Sequence, residues 1–253
     1  MTDLPQIHGA QATAFAAAPH AGRFAAVMRH DWTDVTMLHF CVPRKQLQPH
    51  VPFELDTHPS AALGDDAAWL TLVHFTLRRM RCPRGEWLSR QLLRPISDHQ
   101  FLNVRTYVRH RGEPGIYFLH EWLNNYLSVL LGPPTFGLPY CFARIRKQRV
   151  ERSGLSLTFT RRSYDRPFAP APASTIDAFL LERYTAFTQR AGRRRLFRIR
   201  HTPWPQRRVE ARLADDALLR SLPCWPGDAM LALAHESPGV LGVEVSRPYA
   251  VDE

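Results

Sequence analysis

Ten stretches of this sequence carry apolar side chains at every second position, and that period constrains the fold more than any other feature. They are VTMLHFCV (35–42), AAWLTLVHFTLRR (67–79), FLNVRTYVRH (101–110), GIYFLHEW (115–122), LPYCFARIR (138–146), GLSLTFTRR (154–162), RLFRIRHT (195–202), RRVEARLA (207–214), AMLALAH (229–235) and GVLGVEVS (239–246). Successive side chains of a strand point to opposite faces, so a period of two bounded by Gly, Pro or Asp clusters reads as a strand with one buried face. This is too many strands for alternating α/β units. The expectation is an α+β, β-rich chain whose antiparallel sheet curls or closes on itself.

Two segments break the period. EWLNNYLSVLLG (121–132) sets Trp122, Tyr126, Val129 and Leu130 on one side and stops at Gly132 before two prolines, which reads as a helix. STIDAFLLERYTAFTQR (174–190) opens with Ser174 and Asp177 at capping-box spacing and carries Ile176, Phe179, Leu180, Tyr184 and Phe187 as a stripe, a second helix packed across the sheet. The Pro-rich RPFAPAPAS (166–174) has too few strands on either side to separate two cores. The expected organisation is one domain over 26–253 after a loose tail over 1–25.

The net charge of +10 suggests a polyanion partner, because clustered cations neutralise phosphates. Lys45 and Lys147 are the only lysines, however, and the arginines are spread along the chain without a recognisable nucleic-acid-binding motif. Nucleic acid is therefore disfavoured; that reading would use Arg193 to Arg200. Four cysteines far apart, with no Cys-x-x-Cys pair, argue against a zinc site or a disulfide framework and fit a reducing cytoplasm. ATAFAAAPHA near the start is a poor signal peptide, and no segment approaches the ~18 apolar residues of a membrane span. The dinucleotide, nucleoside-triphosphate, zincin and α/β-hydrolase motifs are all missing from the sequence. The reading is a cytoplasmic protein with no membrane partner, cofactor or metal.

On FLNVRTYVRH, Leu102, Val104, Thr106 and Val108 form a core face, while Phe101, Asn103, Arg105, Tyr107 and Arg109 face either solvent or a polar cavity. A guanidinium beside a phenol suits a carboxylate, which accepts two parallel hydrogen bonds from the arginine fork; from spacing alone, two surface arginines on an exposed face are the slightly better explanation. His39 and His74 fall mid-strand, where an imidazole is either a general base or a hydrogen-bonded structural ring. RHTPWP (200–205) puts His201 and Trp204 at a strand end stiffened by prolines, a candidate pocket rim.

FLNVRTYVRHRGEPGIYFL, FGLPYCFARI, LLERY and RHTPWP, in that order, resemble the YqjF-like family of uncharacterised bacterial proteins, a domain of unknown function, from about Trp32 to the C-terminal strands. That family is similar in fold to acetoacetate decarboxylase. The resemblance implies a closed or cone-like barrel around a central pocket, and assembly into homo-oligomers. In the decarboxylase a Gly-x-Pro turn precedes a lysine pair, one of which forms a Schiff base with the keto acid. Gly137 and Pro139 match the turn, but Tyr140 and Cys141 stand at the lysine places, and neither forms an imine. Lys45 and Lys147 sit in polar segments that lack the apolar surroundings needed to lower an amine's pKa. The decarboxylase's acidic residue is unmatched as well, because Phe101 stands where related sequences carry Glu.

The expected function is a pocket for a small anionic organic ligand, without Schiff-base chemistry. Arg105, Tyr107, Tyr117 and Trp204 are the candidate binding residues, and Tyr140, His201 and His74 the candidates for proton transfer. A lysine-independent lyase or isomerase acting on a small carboxylate is the enzymatic alternative to a carrier or sensor without turnover.

Overall fold

A computed structural model describes residues 24–251. All but the last two residues of the expected tail thus lie outside the described residues. The main sheet has eleven strands. Its order is β12 (Arg207–Arg208), β14 (Met230–Ser246), β1 (Ala26–Pro43), β3 (Ala67–Arg81), β4 (His99–His110), β5 (Glu113–Leu123), β10 (Thr185–Arg190), β11 (Arg193–Arg200) and β15 (Tyr249–Ala250), with β2 (Glu54–Leu55) on β4 and β6 (Tyr140–Phe142) on β5. β11 also pairs with β14, Ile199 opposite Val245 and Arg200 opposite Glu244, so the sheet curls until it meets itself and forms a ring. Two ladders, β5–β10 and β5–β6, run parallel, which makes the curled sheet mixed where alternation alone suggested antiparallel. A second sheet, in the order β13 (Glu210–Asp215), β9 (Leu155–Arg162), β8 (Arg149–Arg152), β7 (Arg144–Arg146), covers part of the outside.

Six α-helices punctuate the described residues: α1 (Arg44–Leu47), α2 (Glu86–Leu92), α3 (Arg94–Ser97), α4 (Tyr126–Phe136), α5 (Ile176–Leu181) and α6 (Ala217–Arg220). Both sequence-based helices need correction. Residues 121–123 remain in β5, where Trp122 pairs with Leu102, and α4 starts only after Asn125, whose side chain accepts a hydrogen bond from the Ser128 N–H. The segment 174–190 is helical only over α5. Its cap is Thr175, whose hydroxyl accepts from the Ala178 N–H, while Ser174 sits at φ 62°. From Thr185 onward the backbone pairs with both β11 and β5, and the β-branched and aromatic residues there pack as a strand.

The alternation sorts side chains into two cores. Inside the ring lie Val73, Phe75, Phe101, Tyr107 and Phe197; between the ring and the second sheet lie Leu70, Leu72, Leu102, Val104, Leu157 and Phe159. Burying one such side chain fully contributes about 1.5–3 kcal/mol. A one-residue slip in any strand would exchange the two sets, which is what fixes the register and therefore the lining of the interior.

Candidate functional site

The ring encloses a cavity of about 320 Å³. Its walls are mostly aromatic and aliphatic, with Trp32, Phe75, Phe101, Phe118, Phe136 and Trp204 among the lining residues. β4 aims Phe101, Asn103 and Arg105 inward as the alternation requires. β5 contributes Ile116, Phe118 and Glu121, a spacing that breaks the period of two. The ladder shows why: Arg105 lies opposite Phe118 and Val104 opposite His120, so Leu119 is an extra residue, a β-bulge that turns Glu121 into the ring.

Arg105 is buried, with its Nη2 3.5 Å from the Leu180 carbonyl and its Nε without a partner. Glu121 is buried as well, and its Oε2 has no partner. Burial pushes the Glu121 carboxyl well above the usual carboxylate range, against the pull of the Arg105 charge. Burial also lowers His30 to about 3 and His99 to about 4, and raises the Tyr140 phenol well above 10 with help from Glu121. The lining therefore presents neutral imidazoles, a neutral phenol and a carboxyl whose burial favours the protonated form around the guanidinium of Arg105, a group that keeps its proton in proteins. Buried polar atoms of the lining that lack partners include His30 Nδ1, Trp32 Nε1, Asn103 Oδ1, Arg105 Nε, Glu121 Oε2 and Ser128 Oγ. Buried polar groups left unpaired cost about 1–3 kcal/mol each, so this lining carries a hydrogen-bonding demand that its own side chains do not meet.

Of the residues singled out in the sequence, Arg105, Tyr140 and Trp204 line this cavity. A Cβ at Gly132 would overlap the Tyr140 ring, which is why α4 carries glycine there. Trp204 stacks on Trp32 with ring centroids 5.8 Å apart and planes 10° apart. The other four candidates lie outside the lining. Tyr107 shares the inward face of β4, but its hydroxyl donates to the Leu180 carbonyl at 2.7 Å and is 2.7 Å from Thr71 Oγ1. His201 is packed among Trp32, Tyr184 and Trp204, its Nδ1 2.6 Å from the Thr202 carbonyl, and burial lowers it to about 4. His74 points to the opposite face of β3, edge-on to Phe159 of the second sheet, and is lowered to about 4 by burial and then by Arg161. Tyr117 packs against Phe53 on the outer side of β5, because the parity change at the bulge comes after it. Lys45 and Lys147 are both exposed and outside the lining.

Glu121, His30 and His99 escaped the sequence reading. Phe101 does line the cavity in place of an acid, but the next strand supplies one. Among the described residues, no group of three or more His, Cys, Asp or Glu is arranged to hold a metal ion, and no helix is long and apolar enough to cross a membrane.

Comparison with known proteins agrees with this architecture. The profile of DUF2071, an uncharacterized conserved protein family, matches residues 29–240. The uncharacterized protein YqjF of Bacillus subtilis is 30% identical over 204 residues, which cover 74% of this chain and 78% of YqjF. Acetoacetate decarboxylase from Legionella pneumophila is similar in structure with a TM-score of 0.59 at 12% identity, over 99% of this chain and 98% of that one. The enduracididine biosynthesis enzyme MppR complexed with pyruvate has a TM-score of 0.56 at 13% identity, over 91% of this chain and 92% of that one. At these identities the structural similarities show a shared fold.

Proposed function

The chain belongs to the DUF2071 family, and from that premise we propose that its ring of strands binds a small organic carboxylate with an apolar, planar body. One observation carries this reading: Arg105 is the single charged side chain of the lining when Glu121 holds its proton, and it is buried with its Nε free. A buried cation without a counter-ion is costly, and a carboxylate facing the guanidinium both neutralises it and accepts charge-assisted hydrogen bonds. The aromatic walls take the ligand body, while Asn103 Oδ1 and the Glu121 carboxyl offer the polar contacts that fix its orientation. Pyruvate, bound by MppR on the same fold, is a small carboxylate and supports this ligand class.

Turnover is the second reading, favoured by Glu121. A carboxyl whose burial favours the protonated form, with an unpartnered oxygen in the cavity lining, is equipped to act as a general acid. Such chemistry would be independent of lysine, since Tyr140 takes the place beside the Gly-x-Pro turn.

Thermal denaturation with benzoate tests the binding reading. Benzoate at about 100 times its Kd should stabilise the protein by about 2.7 kcal/mol. Benzamide, the neutral isostere, should give a much smaller shift, and Arg105→Met should lose the response to benzoate while keeping its fold. An equal response of wild type and Arg105→Met would contradict the assignment.

A further inference from the structure

A row of buried polar side chains crosses four neighbouring strands outside the cavity, and both its ends rest on helix α5. It starts at Asp177 in the first turn of α5, whose Oδ1 is 3.1 Å from His235 Nε2 on β14. His235 Nδ1 is 3.0 Å from His39 Nε2 on β1, and His39 Nδ1 is 2.9 Å from Thr71 Oγ1 on β3. Thr71 Oγ1 is 2.7 Å from Tyr107 Oη on β4, and that hydroxyl is 2.7 Å from the carbonyl of Leu180, back on α5. His235, His39, Thr71 and Tyr107 are each at most 1% exposed.

Counting protons along this row fixes its charge. The Leu180 carbonyl can only accept, so the Tyr107 hydroxyl donates to it. Tyr107 Oη then accepts from Thr71, which commits the threonine proton. Thr71 Oγ1 must therefore accept from the Nδ1–H of His39, leaving His39 Nε2 as a bare acceptor. His235 has to donate there through Nδ1–H, and it also faces a carboxylate that can only accept, so its Nε2 carries a proton too.

We propose that His235 is a buried imidazolium which, through His39, Thr71 and Tyr107, latches helix α5 across the ring of strands. The charged groups around it fit this placement. Asp177 on α5 supplies the negative charge, and hydrogen bonds from His235 and Arg208 hold its carboxyl at about 2 although burial pushes it up. Arg208 on β12 grips the same carboxylate at 2.7 Å from its half-exposed position. Arg105 on β4 and Arg208 both disfavour a second proton on His39, which burial already holds neutral. Neutral His39 beside charged His235 is the arrangement the hydrogen bonds require, and one excess proton belongs to the pair as a unit. Nothing in this inference depends on what the cavity binds.

Nitrogen-15 NMR of the histidine rings near pH 7 reads the charge directly. The expected spectrum has His235 protonated on both nitrogens and His39 on Nδ1 alone. Two neutral rings, each protonated on Nε2, would mean that Thr71 donates to His39 and would overturn the proposal. In Asp177→Asn the doubly protonated signature should be lost, and hydrogen exchange of the 176–181 amides should accelerate relative to β10 and β11. Unchanged exchange over α5 in that variant would contradict the latch. The wild-type spectrum decides the charge alone, so the test stands even if the variant unfolds.

Discussion

Lowering the pH from 7 to 5 is expected to unfold this protein before its exposed carboxylates titrate. His30, His74, His99 and His201 are buried and lowered to about 3, 4, 4 and 4, while in the unfolded chain each ionises near 6.5. Below that value the unfolded state binds protons that the folded state refuses. Each histidine then withdraws about 1.4 kcal/mol of stability per pH unit, until its folded pKa is reached. Two carboxyls oppose this: Glu121 and Glu182 are raised by burial, take up protons first in the folded state, and so add stability as pH falls toward 4.5. His39 is held down by burial as well and His120 is lowered to about 4, so the lowered histidines outnumber the two raised carboxyls and the net effect is a loss of stability as pH falls. Against a typical total of about 5–15 kcal/mol, two units suffice to unfold a protein of moderate stability. Urea denaturation at pH 7, 6 and 5 measures the slope; a stability that stays level or rises over that range would show that these rings accept protons in place.

Glu121→Gln should stabilise the protein, by an amount that grows with pH. In wild type the raised carboxyl ionises readily when unfolded and reluctantly when folded, so folding loses about 1.4 kcal/mol per pH unit between 4.5 and the raised value. Glutamine does not titrate and can still donate where the protonated carboxyl donates. The difference between variant and wild type should therefore be larger at pH 7 than at pH 5, growing by about 1.4 kcal/mol for each pH unit that lies below the raised value. The same variant removes one of the two opposing carboxyls, so its acid unfolding should be steeper. A difference independent of pH would show that Glu121 is already ionised in the folded protein, paired with Arg105, and would take away the proton on which the general-acid reading depends.

The sequence carried the ring of strands and three of the cavity residues, because alternation follows directly from strand geometry. Phe101, Asn103 and Arg105 are readable as one face wherever β4 is regular. The misplacements trace to features a period of two does not encode. The extra residue at Leu119 reverses parity within β5, sending Glu121 inward after Tyr117 has already turned outward. His74 sits between Val73 and Phe75, so its outward direction follows from the assignment of those two to the cavity, which needs the closed ring. Tyr107 points inward and is still excluded, because Leu180 of α5 covers it. A helix read as continuing to residue 190 hid that cover. His30 and His99 lie near strand ends, where alternation is too short to assign a face. The row from Asp177 to Leu180 joins residues up to 196 positions apart and has no local signature.

The central claim is that Arg105 holds a carboxylate inside the ring, and a crystal structure of the protein with benzoate tests it most directly. The carboxylate is expected within hydrogen-bond distance of the Arg105 guanidinium, including Nε, with the phenyl ring among Trp32, Phe75, Phe101 and Phe136. Benzoate bound only at exposed arginines, or lodged in the cavity with its phenyl ring toward Arg105, would contradict it.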